Sequence, residues 1–492
     1  MPAHELQTLA ARRLFLQSAA GSIGSLALSS LLSQDGLLAA ESVPADPLAP
    51  HAPHFAPKAK ACIFLFMEGA PSQLDLFDPK PKLNELHGQK LPESMTKNVR
   101  FAFIQKETAV LMGSNRKWQK YGECGMDLSD RLPHLSTCVD DIAFIRSMHT
   151  EAFNHHPGQL LMLTGATAFG RPSMGCWMSY GLGSESKDLP SYVVLNSGRG
   201  TSGGASLWSS GFLPTTYQGV LFRNQGEPVL NLDNPPGLTA EMQRLGLDAL
   251  RDLNQHRLAE VHDPEIATRI ASYELAYRMQ TAAPQLIDFS DETPETLEAY
   301  GVNRTEGKLK GGRGGGAGTF ASYSRNCLLA RRLVERGVRF VNLFHASWDH
   351  HSDIDRELEF NAMMADQPVA ALLKDLKQRG MLDSTLVIWG AEFGRTPLGE
   401  NRAARDSNTG RDHHPFAFSL WMAGGGVKGG QIIGETDEIG WNVIKDPIHV
   451  NDLQATILRL FGMDHLRLTY RFKGRDFRLT DVGGKVVPQL IG

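Results

Sequence analysis

The sequence has few of the residues that mark metal–thiolate or disulfide-rich proteins. Its 492 residues contain only five cysteines, and none form a Cys-x-x-Cys pair: Cys62, Cys124, Cys138, Cys176 and Cys327. This scattered, odd-numbered set argues against a zinc–thiolate cluster or a disulfide-stapled scaffold. An oxidising compartment would allow a single disulfide between Cys124 and Cys138.

A strong charge bias is also absent. The formal net charge is -4, and the chain has 50 basic and 54 acidic residues, so a nucleic-acid partner is not indicated. Beyond the N-terminal region, no stretch is long and apolar enough to cross a bilayer, so we expect no membrane span in the mature protein. Hydrophobic residues make up 41% of the chain, which is typical of a soluble globular protein.

The first forty residues have the layout of an export signal. Arg12 and Arg13 precede a mildly apolar run at 18–32, and small residues follow at 39–40. A basic start, a short apolar stretch and a small-residue cleavage site in this order predict a twin-arginine signal peptide at 1–40. We therefore expect the protein to be periplasmic or otherwise exported. An N-terminal amphipathic helix is the alternative.

After a linker at 41–60 that is rich in proline, alanine and histidine, apolar runs alternate with helical patterns. Six runs are predicted to be strands, at 61–67, 142–145, 192–195, 338–344, 384–390 and 416–422. This alternation is typical of an α/β fold with a doubly wound, mostly parallel sheet flanked by helices. Apolar spacing of three and four predicts a helical insertion or cap at about 200–320, within one domain at 61–492.

Acidic and imidazole side chains stand at the ends of several predicted strands. The candidate metal ligands are Glu68, Asp349, His351, Glu392 and His414, with His413 as the alternate to His414. The carboxyl ends of strands in an open α/β sheet meet at the edge where ligands bind. Carboxylate and imidazole together suit a divalent cation. The sequence therefore predicts a metal centre and leaves open whether the ion is Zn, Ca or Mn.

A second group of polar residues precedes a predicted helix. Asn154, His155 and His156 are followed by Pro157, and the helical pattern begins at about Gly158. A helix N-terminus attracts anions through its free N–H groups and its dipole. We expect the two histidines to contact a bound anion or the metal. The alternative is that they are ordinary loop histidines.

Several motifs together resemble a known superfamily. They are FMEGAPSQLDLFDPKP, NHHPGQLLMLTG, WDHHSD, WGAEFGRTP and GRDHHPFAFSLWMAGGGVKGG. With these motifs the chain resembles the alkaline phosphatase/sulfatase superfamily and, within it, the exported, sulfatase-like domain-of-unknown-function family 1501. The resemblance covers nearly the whole mature chain. It implies an alkaline phosphatase-like fold and metal-dependent hydrolysis of a phosphate or sulfate ester. The implied substrate is a small anionic ester or a sulfated or phosphorylated glycan.

The chain departs from the superfamily pattern at functional positions. The superfamily's aspartate after the first strand corresponds to Glu68, and its late histidine or asparagine corresponds to Phe393, which implies one metal rather than two. Its Ser or Cys nucleophile corresponds to His155, and its arginine to Gln159.

The resemblance thus makes Asn154, His155 and His156 the catalytic candidates, with a histidine where a nucleophile is expected. The alternative is a non-catalytic metal- or ligand-binding member of the superfamily that has lost its nucleophile.

Overall fold

The computed structural model describes residues 46–492, apart from 97, 98, 100, 199, 262, 310, 313, 314 and 401–408. The predicted signal peptide at 1–40 and the start of the linker lie outside the described residues.

The strands are β1 (Ala61–Glu68), β2 (Trp118–Tyr121), β3 (Met126–Ser129), β4 (Ile142–His149), β5 (Tyr192–Ser197), β6 (Val220–Phe222), β7 (Phe340–Ala346), β8 (Thr385–Gly390), β9 (Gly394–Gly399), β10 (Arg411–His414), β11 (Phe418–Ala423), β12 (Gln431–Ile433), β13 (Glu435–Thr436), β14 (Val443–Lys445), β15 (Ile448–His449), β16 (Tyr470–Phe472) and β17 (Arg475–Phe477). The α-helices are α1 (Gln73–Leu76), α2 (Pro81–Glu85), α3 (Glu93–Thr96), α4 (His155–Thr164), α5 (Met174–Leu182), α6 (Ala240–Val261), α7 (Pro264–Ile287), α8 (Pro294–Tyr300), α9 (Thr319–Glu335), α10 (Ile354–Gln378) and α11 (Val450–Leu460).

A nine-stranded sheet forms the centre of the described chain. Its order is β12-β4-β11-β8-β1-β7-β5-β6, and β15 also pairs with β4. Strand β11 runs antiparallel to both of its neighbours, and the other pairs in this sheet are parallel. All six predicted strands belong to this sheet, so the prediction of a mostly parallel α/β fold is confirmed.

The sheet is covered by helices on both faces because its strands are apolar on both faces. In β1, Ile63 and Leu65 pack in one hydrophobic cluster, which includes residues of α9 and α10. Phe64 and Phe66 pack in the other cluster, which includes residues of α4, α5 and α11. Alternate side chains of a strand point to opposite faces, so a continuous apolar run becomes a strand buried on both sides.

The region of the predicted insertion contains both sheet and helices. Strand β6 extends the main sheet by pairing with β5, and helices α6, α7 and α8 follow it. Helix α7 anchors this region through buried Met279, Ala283 and Leu286. Helix α6 has no buried residue.

The structure also bears on the cysteines and on membrane-spanning helices. All five cysteines are free thiols, so the disulfide left open between Cys124 and Cys138 is not formed. A search of the described residues finds no helix with both the length and the apolar character needed to cross a membrane.

The strand order brings the candidate residues to one edge of the sheet. Strand β1 lies between β7 and β8, with Glu68 opposite Ala346 and Phe66 opposite Gly390. The segments that leave these three strands therefore start side by side. The antiparallel ribbon of β9 and β10 follows β8 and pairs His413 with Arg395.

Candidate metal centre

Four side chains from three parts of the chain converge at this edge. His155, Asp349, His351 and His413 each offer one ligand atom, and these atoms all lie within 4.8 Å of one another. His155 is the first residue of α4, and His413 lies on β10. Asp349 and His351 follow β7. We call these four residues the His3Asp cluster.

Asp349 contacts all three imidazoles of the cluster. Its Oδ1 lies 2.7 Å from His351 Nε2, 3.2 Å from His155 Nε2 and 3.3 Å from His413 Nε2. The Nε2 atoms of His351 and His413 are 3.0 Å apart. The three Nε2 atoms therefore face one small volume beside a single carboxylate oxygen.

The other ring nitrogen of each histidine faces an oxygen acceptor. His155 Nδ1 lies 2.7 Å from Glu392 Oε1, and His413 Nδ1 lies 2.8 Å from the carbonyl oxygen of Phe153. His351 Nδ1 contacts Glu400. Carbonyl and carboxylate oxygens accept hydrogen bonds, so each Nδ1 is placed to donate its proton outward, and each Nε2 is the nitrogen that could bind a cation in the cluster. Histidines that ligate a metal are held in this way by their second nitrogen.

The charges around the cluster also suit a cation. Five carboxylates lie in it or beside it: Glu68, Asp349, Glu392, Glu400 and Asp412. The guanidinium of Arg395 offsets part of this charge, with Nη2 lying 2.6 Å from Asp349 Oδ1. Buried negative charges and converging lone pairs are costly without a partner. The donor set of three imidazoles and a carboxylate therefore fits a divalent cation.

The pKa shifts reflect the same electrostatic demand. Burial lowers the pKa of His155, but hydrogen bonds to Asp349 and Glu392 outweigh it and raise this pKa to about 9. Burial lowers the pKa of His413 to about 4. Burial tends to raise the pKa of Asp349, but Arg395 and the three imidazoles hold it well below its usual range. A proton on His155 and a cation in the cluster would therefore meet the same need for positive charge.

Arg395 anchors the cluster and was not among the predicted site residues. It is fully buried, its Nε donates to Ala70 O at 2.9 Å, and its Nη1 donates to Arg411 O at 2.9 Å. Its Nη2 also contacts Gly69 O. Its place in the WGAEFGRTP motif was the available sequence signal.

Glu400 and Asp412 were also absent from the predicted site. Asp412 Oδ2 accepts the backbone N–H groups of Phe103 at 2.9 Å and Ile104 at 3.0 Å, and its Oδ1 lies 3.9 Å from His351 Nδ1. Its signal was adjacency to His413. Glu400 directly follows β9 and had no comparable signal.

The other predicted metal ligands lie outside the His3Asp cluster. Glu68 lines a cleft of about 540 Å³ beside it, and Glu68 Oε1 accepts the backbone N–H of Ser202 at 2.8 Å. Burial and the nearby Glu392 raise the pKa of Glu68. Glu392 Oε1 lies 2.7 Å from His155 Nδ1 and accepts the backbone N–H of Gly69 at 3.0 Å. His414 is directed elsewhere, with Nε2 lying 2.7 Å from Trp441 O.

Of the three predicted catalytic residues, only one belongs to the His3Asp cluster. His155 belongs to the His3Asp cluster, whereas His156 lines the cleft and packs its ring edge-to-face on Phe169 at 4.9 Å. The buried Nε2 of His156 has no hydrogen-bond partner among the described residues. Asn154 is the exposed N-cap of α4, and its side chain makes no capping hydrogen bond.

Gly69 allows the two strand-end segments to approach each other closely. Its φ is 105°, and a Cβ at this position would lie 2.4 Å from the backbone nitrogen of Asp349. The carbonyl of Glu68 accepts N–H groups from Ser347 at 3.2 Å and Trp348 at 2.9 Å. The segment that carries Asp349 is thus held directly against the end of β1.

Comparisons with known proteins give a family and several similar structures. The model of a family described as "Protein of unknown function (DUF1501)" matches residues 59–491. No curated protein matches the chain. The chain is similar to the PsFucS1 sulfatase from Pseudoalteromonas sp., at 12% identity and a TM-score of 0.34, over 82% of this chain and 68% of that one.

It is also similar to an alkaline phosphatase superfamily protein from Vibrio parahaemolyticus, at 10% identity and a TM-score of 0.35, over 85% and 70% of the two chains. A third similar structure is a Mg-bound variant of the alkaline phosphatase from the Antarctic bacterium TAB5. It shows 12% identity and a TM-score of 0.34, over 83% of this chain and 99% of that one.

Proposed function

The chain belongs to the DUF1501 family of proteins of unknown function, and from this starting point we propose that it is an exported, metal-dependent hydrolase of phosphate or sulfate esters. The observation that carries the proposal is the His3Asp cluster. Three Nε2 lone pairs meet beside Asp349, and Glu392, Glu400 and the Phe153 carbonyl hold the rings in that orientation.

We propose zinc as the ion among the three candidates. Three of the four donors are imidazole nitrogens, which zinc accepts readily, whereas calcium prefers a shell of oxygens. A divalent ion bound here would polarise an ester oxygen and lower the pKa of a water molecule toward neutrality. The four cluster residues would hold it, and Arg395 would keep Asp349 oriented toward it.

The cleft beside the cluster supports an anionic ester as substrate. His155 and His156 occupy the first turn of α4 and line this cleft. The free N–H groups of a helix's first turn and its dipole favour phosphate or sulfate oxygens. His156 is not a member of the metal cluster, so we assign it proton transfer to the leaving group.

The same cleft supports a carbohydrate as the organic part of the ester. Glu68 Oε2, Thr201 Oγ1 and His156 Nε2 are buried and lack hydrogen-bond partners among the described residues. Phe169, whose ring packs on His156, is 66% exposed. Polar groups can pair with sugar hydroxyls, and an open aromatic ring can pack on the apolar face of a sugar. A sulfated or phosphorylated glycan therefore satisfies both sets of groups.

One observation favours the second candidate function, a non-catalytic metal- or ligand-binding protein. His155 stands where the superfamily has its nucleophile, and both ring nitrogens contact carboxylates, Nδ1 Glu392 and Nε2 Asp349. A hydrolase built on this site has to use water directly. A binding protein needs no such step.

The first experiment asks whether the metal is bound. Mature protein purified without chelators is analysed by mass spectrometry for metals, beside the double variant Asp349→Ala with His413→Ala. His414→Gln is the matched control, because His414 neighbours His413 but faces Trp441. We expect near-stoichiometric metal in the wild type and the control, and loss of metal from the double variant. Wild-type protein without metal would contradict the proposal.

The second experiment asks whether the metal-bound protein is an enzyme. Aryl phosphates, phosphodiesters, aryl sulfates and sulfated or phosphorylated sugars are offered to wild-type protein and to Asp349→Ala. We expect hydrolysis by the wild type that a chelator abolishes and that restored metal recovers. Bound metal with no hydrolysis of any ester supports the binding protein instead.

A further inference from the structure

Helix α6 carries an apolar face that the rest of the described chain leaves uncovered. No residue of this 22-residue helix is buried. Met242, Leu245, Ala249 and Leu253 are spaced by three or four residues, so they line one side of the helix. Met242 is 55% exposed, Leu245 65% and Leu253 68%. We call these four residues the α6 stripe. A row of large apolar side chains facing water is typical of a docking surface.

The opposite side of α6 is already occupied. Both terminal nitrogens of Arg244 donate to the carboxylate of Glu274 on α7, at 2.9 and 2.6 Å. The same guanidinium lies 5.0 Å from the ring centroid of Tyr277. Arg244 is two residues from Met242, which places it about 200° around the helix. The stripe is therefore directed away from the side that binds α7.

The charges of α6 distinguish between occupants of the stripe. The helix carries acidic residues at 241, 248, 252 and 260 and basic residues at 244, 251 and 257. Helices that lie on anionic membranes have a strongly basic polar face, which α6 lacks. Asp252 flanks the stripe on one side and Arg257 on the other. Asp252 lies 3.5 Å from Arg251 Nε, but its side chain is 66% exposed and therefore remains accessible to a partner.

The spacing of these two charges matches a second copy of the same helix. When two parallel helices share an apolar seam, a residue on one flank faces the residue five positions later on the partner's opposite flank. Asp252 and Arg257 are separated by that interval. Each copy would thus set its Asp252 against Arg257 of the other, and the two-fold symmetry would form this ion pair twice.

We propose that the α6 stripe is the contact surface between two copies of this chain, with their α6 helices side by side and parallel. Met242, Ala249 and Leu253 meet their equivalents across the seam, Leu245 packs at its edge on the flank of Asp252, and the paired charges fix the register. Four side chains form a small interface, so the dimer is weak and depends on protein concentration.

Sedimentation equilibrium of the mature, metal-loaded protein over a wide concentration range tests the proposal. We expect a dimer at high concentration, and a monomer for Leu245→Glu combined with Leu253→Glu. Val482→Glu is the matched control, because Val482 is 83% exposed elsewhere on the chain and its replacement should leave the dimer intact. Circular dichroism establishes that each variant is folded.

Charge reversal tests the register. Asp252→Arg or Arg257→Asp alone should weaken association, and the two together should restore it. A wild type that is monomeric at every concentration, or a dimer that survives the double leucine variant, overturns the proposal. Failure of the combined charge reversal to restore association overturns the parallel arrangement.

Discussion

At the scale of single residues, the closeness of two strand ends depends on one missing side chain. Gly69 lies directly between Glu68 and the segment that carries Asp349. Its positive φ is one that side chains rarely adopt, and the missing Cβ makes room for the backbone of that segment. The position of Asp349 in the His3Asp cluster is thus set by backbone contact as well as by Arg395.

We predict that Gly69→Ala displaces Asp349 and weakens metal binding. Gly88→Ala is the matched control, because Gly88 also has a positive φ but a Cβ added there would have nothing within 4 Å. The free energy of unfolding of the control should fall only by the cost of placing an alanine in the left-handed backbone region, about 1–2 kcal/mol. Urea unfolding and metal titration of both variants measure the difference. Equal effects on metal affinity would show that the close approach at Gly69 is unimportant.

The sequence alone did not decide which of His413 and His414 would face the metal site. Adjacent residues of a strand point to opposite faces, so only one of them can reach the cluster. The pairing of His413 with Arg395 across the ribbon decides which one does. That pairing joins β9 to β10 and leaves no periodic trace in the sequence. The strand-end residues Asp349 and His351 were predictable because position after a strand is itself the signal.

At the scale of elements, helices α6 and α7 have similar lengths but different roles. Both were predicted as part of one helical region from apolar spacing alone. The structure buries part of α7, including Leu286, and leaves α6 without a buried residue. Apolar spacing reveals a helix and its apolar face, but it does not reveal what covers that face.

We predict that this difference appears in stability. Leu286→Ala should lower the free energy of unfolding by about 2–5 kcal/mol, because it removes buried methyl groups and leaves a cavity. Leu253→Ala should change it by no more than about 0.5 kcal/mol, because that side chain is exposed in the single chain. Urea unfolding at protein concentrations that favour the monomer makes the comparison. A large cost at Leu253 would mean that α6 is packed within one chain.

At the scale of the whole molecule, the sequence predicted the central sheet better than its surroundings. Apolar runs such as 61–67 are recognisable because a strand buried on both faces has no polar positions. The hairpin of β2 and β3 is partly polar, and its pairing includes an exposed contact between Lys120 and Asp127 at 3.1 Å. Such strands are defined by their partners, so their sequences carry little signal.

Export is the whole-molecule property that most needs a direct measurement. We predict that residues 1–40 direct a fused reporter to the periplasm of a Gram-negative host. Arg12→Lys combined with Arg13→Lys keeps the positive charge but removes the twin arginines, so the reporter should remain in the cytoplasm. Cell fractionation measures both. Unchanged export of the lysine variant would show that the signal is of another type.

The residues of the His3Asp cluster come from α4, from the segment that follows β7, and from β10. They are therefore brought together only when most of the chain has folded. A nascent or truncated chain that stops before β10 lacks the imidazole of His413 and the carboxylate of Asp412, which lies 3.9 Å from His351 Nδ1. Metal retention would therefore report on complete folding as well as on the site itself. If export follows folding, the ion would be acquired in the cytoplasm, and the metal supply of that compartment would determine which ion the protein carries outside it.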